Sequence, residues 1–155
     1  MSATDIAILK KNVSCLVLVL WLSLASIIWM GMLVLIEYLF QQDYSIPPLL
    51  SAIIPPSLVG YWLGKRSGYS FSSKIRWKAI IIWATVVEAL IPSLLFYQFN
   101  EESWHQVVDE VGVGLLFLLL FILTVHILFS NVMFKSGEKV GVKLFNQHSR
   151  TNTVG

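Results

Sequence analysis

Four polar side chains lie inside runs that otherwise carry no charge. Glu88 is in 79–99, His126 in 111–134, Ser57 in 44–64 and Ser23 in 12–36. An ionisable group at membrane depth is costly, so it needs a partner, a proton or a task. Counted along helices from the nearest basic residue, Glu88 lies roughly 15 Å deep, His126 roughly 13 Å, Ser57 roughly 12 Å and Ser23 roughly 18 Å. The four fall in one layer, and helices standing side by side would join them as one intramembrane polar cluster. Its chemistry would be proton exchange or cation binding at Glu88. The plainer alternative is a hydrogen bond from Glu88 to His126 or Ser23 that fixes helix packing. His126 taken alone fits that packing role.

Helix-breaking residues sit near the same depth. Pro92 follows Glu88 by four residues and cannot donate to its carbonyl, which frees backbone beside the acid. Pro55 and Pro56 fall inside the second run, where they are expected to kink or break the helix. A broken helix at mid-depth can turn backbone dipoles towards a ligand, although a plain kink is the commoner use. Gly60 and Gly64 have the four-residue spacing that lets two helices approach closely, and packing against a neighbour within the chain is expected.

Elsewhere the chemistry-bearing residues are scattered. Gln98, Glu101, Glu102, His105, Asp109 and Glu110 lack tight ligand spacing and read as solvated loop charge, so no metal site is expected. Metalloprotease, nucleophile-elbow, phosphate-loop and paired-cysteine patterns are absent, and no cofactor and no catalysis are expected. The single cysteine, Cys15, excludes an internal disulfide.

The elements that would position these groups follow from composition. Of 155 residues, 56% are hydrophobic and 13% charged, about half the charge of a soluble domain. A bilayer core needs ~20 helical residues. Spans at 13–36, 45–64, 79–99 and 111–134 meet that length and form one integral membrane domain. The first run is too long for the apolar stretch of a signal peptide and is read as a retained span. A basic, serine-rich loop (65–78), an acidic loop (100–110) and a polar tail (135–155) flank these spans.

With the N-terminus in the cytoplasm, all eleven Lys and Arg residues fall on inner segments and none on outer ones. That asymmetry sets orientation, with both termini cytoplasmic. Tyr38, Tyr44, Trp62, Trp77, Tyr97 and Trp104 fit interfacial belts. The expected fold class is all-α, a four-helix transmembrane bundle.

The stretch 57–84, SLVGYWLGKRSGYSFSSKIRWKAIIIWA, is a glycine- and aromatic-rich helix end, then a basic loop, then a new apolar run. It resembles small four-span bacterial inner-membrane proteins, which implies an inner-membrane location and no particular activity. Small multidrug-resistance transporters also have four spans and one membrane glutamate. Theirs lies in the first helix, whereas Glu88 is in the third, and that assignment is rejected.

Two functions are expected to compete. One is a non-catalytic protein acting through protein–protein interaction in the membrane, as an accessory subunit or an immunity-type protein. The other is a small oligomeric proton-linked carrier or channel centred on Glu88. The expected partners are the lipid bilayer and a membrane protein or second copy of the chain, with no nucleic acid.

Overall fold

In a computed structural model of the chain, residues 14–40, 49–90 and 112–151 are described. All regular structure among them is helical. Helix α1 is Cys15–Phe40, α2 is Leu49–Ser67, α3 is Ser73–Ile82 and α4 is Val113–Thr151. A π-helical segment, Trp83–Leu90, follows α3 directly, and the backbone at Trp83 stays in the right-handed helical region.

Two of these helices, α1 and α4, are long and apolar enough to cross a membrane. Neither is the buried centre of a globule. Along α1 only Leu18, Leu22 and Ser26 are buried. The remainder turns Leu16, Leu20, Leu24, Ile27 and Ile28 outward, and α4 does the same with its 117–122 stretch. Contiguous exposed apolar surface of this extent suits lipid and is rare on soluble monomers.

Each helix has two neighbours. α1 packs on α2 and α3, while α4 packs on α2 and on α3 with its π segment. The shared core is built from Leu18, Leu22, Val59, Leu63, Ile80, Trp83, Ala84 and Phe134. Trp21 of α1 stacks at 4.5 Å on Trp62 of α2.

By far the most extensive contact is between α2 and α4. A Cβ added at Gly60 would meet the Phe134 carbonyl, and one at Gly64 would meet Glu138 backbone. Reciprocally, a Cβ at Gly137 would meet the Ser57 carbonyl and one at Gly141 the Tyr61 carbonyl. Two four-residue glycine pairs therefore face each other, and each backbone fills the groove the other leaves. Partners rise together along both chains, so α2 and α4 run parallel.

Two expectations need correction here. The polar tail read from 135 onward is helical as far as Thr151, as a continuation of α4. At 1.5 Å per residue this 39-residue helix is about 58 Å long, twice the thickness of a bilayer core. Nor do Pro55 and Pro56 break α2, which stays α-helical from Leu49 to Ser67. Pro56 has no N–H to give the Ala52 carbonyl four residues back. The Ser130 hydroxyl of α4 donates to that carbonyl instead, at 3.0 Å. The carbonyl that Pro56 leaves free is thus satisfied across the helix pair. Pro92 and the acidic loop lie outside the described residues.

Candidate functional site

The expected polar cluster separates into pieces. Ser57 packs against Gly137, eleven residues beyond His126 on one continuous helix and so roughly 16 Å from it along the axis. Depth had been counted from Lys135 and Lys65 as though both helices ended at the same level. Because α4 runs on past Lys135, that level is shifted. The Ser57 hydroxyl donates to Ile54 O of its own helix at 2.9 Å, and Ser23 donates to Val19 O at 2.9 Å. Such bonds to the preceding turn satisfy a hydroxyl locally and need no partner helix.

Glu88 is half-buried on the π-helical segment. Its neighbour is Ser26, within hydrogen-bonding reach on α1. Ser26 is one turn from the expected Ser23 and belongs to the buried stripe of α1. His126 sits lower, with its ring 5.5 Å from that of Trp83. Its Nε2 is buried and has no hydrogen-bond partner among the described residues, as is also true of Trp83 Nε1. No hydrogen bond or ion pair joins Glu88 to His126 among the described residues. The two belong to successive levels of the α3–α4 contact, separated by the five residues from Trp83 to Glu88.

A second polar site lies where α3 begins, against the C-terminal half of α4, where none was expected. Arg76 of α3 is 6% exposed and Glu138 of α4 only 1%. Their charged groups stand 3.5 Å apart. The Phe71 backbone N–H donates to Glu138 Oε1. Arg76 Nε donates to Asn131 Oδ1 at 2.8 Å. A buried carboxylate left alone would cost several kcal/mol. Here each charge has an opposite charge and at least one further hydrogen bond.

The sequence builds this node from three places. Asn131 and Glu138 lie two turns apart on one face of α4. Arg76 opens the buried face of α3 with Ala79 and Ile80. The loop between α2 and α3 supplies Phe71 after Gly68, whose positive φ of 68° suits glycine. A Cβ at Gly68 would also strike the Phe145 ring. Phe71 then packs edge-on against Phe134 at 6.3 Å, and burial raises the Tyr69 phenol above its ordinary pKa. In the sequence Arg76 belongs to the basic loop and Glu138 to the polar tail. The one local hint was the second glycine pair, Gly137 and Gly141, which brackets Glu138 and marks that part of the helix as packed.

No group of three or more metal-ligating side chains occurs among the described residues. An apolar groove of about 230 Å³ lies between α1 and α2, lined by Trp21, Ile28, Trp29, Leu58 and Trp62 among others. Comparison with known proteins returns no matching family model, curated protein or solved structure.

Proposed function

We propose that the chain is a four-span inner-membrane protein with both termini cytoplasmic, and that it acts without catalysis by binding another protein within the membrane. The alternation of helix directions supports four crossings. α2 runs parallel to α4, and the pairing of Trp83 with His126 and of Arg76 with Asn131 makes α3 antiparallel to α4. The lysines of α4 begin at Lys135, where its apolar stretch ends, which suits a cytoplasmic face.

The observation that carries the interaction reading is the fate of the intramembrane polar groups. Ser23 and Ser57 are satisfied by their own helices, and Ser57 is walled in by Gly137. A carrier needs polar groups in succession along a route, and these do not form one. Meanwhile α1 is attached by a single buried stripe and leaves most of its apolar surface outward. That surface is where a membrane partner would meet this chain.

One feature favours the second reading, a proton-linked carrier or channel. Glu88 lies on a π-helical segment, and such segments recur at functional sites. The two readings part on Glu88→Gln, which keeps size and hydrogen bonding but cannot titrate. Purified protein in vesicles with an internal pH dye is exposed to an imposed proton gradient. The interaction reading expects wild type and E88Q to leave the gradient equally intact. Dissipation by wild type that E88Q abolishes would replace it with the carrier reading.

A further inference from the structure

The cytoplasmic extension of α4 carries Lys135, Ser136, Gly137, Glu138, Lys139, Val140, Gly141, Val142, Lys143, Leu144, Phe145, Asn146 and Gln147. Its one carboxylate, Glu138, is turned inward and committed to Arg76 and the Phe71 N–H. Lys135, Lys139 and Lys143 recur every four residues and so share one exposed face. Folding thus turns the only negative charge of this stretch away from Lys139 and Lys143, while Lys135 stays close enough to interact with it. Neither Lys139 nor Lys143 forms an ion pair among the described residues.

Two of the three lysines border a concavity. A cleft of about 460 Å³ lies between the α2–α3 loop and α4, lined by Ser70, Lys139, Val142, Lys143, Asn146 and Gln147. Ser70 is held opposite the lysines because its neighbour Phe71 is tied to Glu138. The walls offer two ammonium groups, a hydroxyl and two side-chain amides, and no acid. Such a donor set matches the oxygens of a phosphate group, which accepts several charge-assisted hydrogen bonds at once. Lys139 lies five residues past Phe134, where the apolar stretch of α4 ends, or roughly 7 Å along the axis. The headgroup zone of a bilayer extends about that far from the hydrocarbon edge.

We propose that Ser70, Lys139, Lys143 and Asn146 form a binding site for a phosphate-bearing anion. The donor set accommodates either the phosphodiester of an anionic lipid headgroup or a free phosphate compound. The lipid source rests on the membrane orientation proposed above, whereas the donor chemistry of the cleft does not.

The test uses full-length protein in neutral detergent, as wild type, K143A and K135A. Lys135 carries the same charge on the same stripe but lies outside the cleft, so K135A controls for general electrostatic attraction. Two probes are compared. One is retention of phosphatidylglycerol after exchange against phosphatidylcholine micelles, read by native mass spectrometry. The other is inorganic pyrophosphate, read by titration calorimetry. Wild type is expected to bind at least one probe, and K143A to weaken that binding about fivefold, the effect of one lysine near an anionic surface. K135A is expected to change it less than about twofold. Retention of the lipid alone identifies a headgroup, binding of pyrophosphate alone identifies a free phosphate, and either supports the site. Failure of wild type to bind both probes, or equal loss in K135A and K143A, overturns it. Because pyrophosphate is tested in detergent, an error in membrane orientation leaves that arm standing.

Discussion

The two ends of α4 differ in how they are held. Its C-terminal half, from Ser130 to Phe145, is gripped by α2, by the α2–α3 loop and by Arg76. Its N-terminal half exposes 117–122 and sets His126 beside the ring of Trp83. In the C-terminal half backbone meets backbone, and buried charge meets charge. In the N-terminal half a buried ring nitrogen has no partner among the described residues. Polar groups in this chain thus serve two purposes. Where every valence is filled they hold helices in register, and where one is left open they are available for something else.

The largest effect that would sharpen this contrast comes from glycine. Gly137→Val drives a side chain into the Ser57 carbonyl, and backbone cannot yield as a flexible side chain can. The seam is expected to lose ~3 kcal/mol or more. Gly114, on the same helix, has nothing within 4 Å of an added Cβ. Gly114→Val should change stability by less than about 1 kcal/mol. Unfolding in detergent by increasing SDS measures both, and equal losses would erase the distinction between the halves.

Next in size is the charge node. Arg76→Met leaves the 1%-exposed Glu138 without its opposite charge. Removing one partner of a buried pair costs about 3–5 kcal/mol. Adding Glu138→Met to that variant should restore part of the loss, because an apolar pair no longer buries a lone charge. The same SDS titration reports it, and a double variant worse than R76M would mean that Glu138 is held by something other than Arg76.

The smallest effect is the most specific. Ser130→Ala removes the donor that replaces the N–H missing at Pro56 and should cost ~1–2 kcal/mol. In a Pro56→Ala background the helix supplies that N–H itself, so the same serine change should cost less than about 0.5 kcal/mol. A double-mutant cycle isolates the coupling. Additive costs would mean that the hydroxyl does not stand in for the lost backbone bond.

Much of the frame was legible in residue order, and much of the site was not. Gly60 and Gly64 announced a close helix contact because their spacing is a local property. Their mates, Gly137 and Gly141, have identical spacing but are hidden among Lys135, Glu138 and Lys139, which make that stretch look solvated. Long α-helices can carry charge on one face and pack on another, so composition alone did not distinguish a tail from a helix. Counting depth from the nearest lysine failed for Ser57 because a charge marks where lipid ends and says nothing of where the helix ends. The Pro56–Ser130 repair and the Arg76–Glu138 pairing join residues more than fifty positions apart. No local pattern carries that information.

The seam, the charge node and the Pro56 repair all depend on α2 and α4 running parallel in the register set by Ser57 and Gly137. Oxidative cross-linking in a Cys15→Ser background tests that arrangement most directly. A disulfide forms readily only between residues whose Cα atoms lie roughly 4.4–6.8 Å apart. Ala52→Cys with Ser130→Cys should cross-link within one chain on mild oxidation, since the native serine already reaches the Ala52 carbonyl. Ala52→Cys with Val142→Cys should not. Cross-linking of the second pair in place of the first would mean that the helices run in opposite directions, and the separation of Ser57 from His126 would be lost with the register.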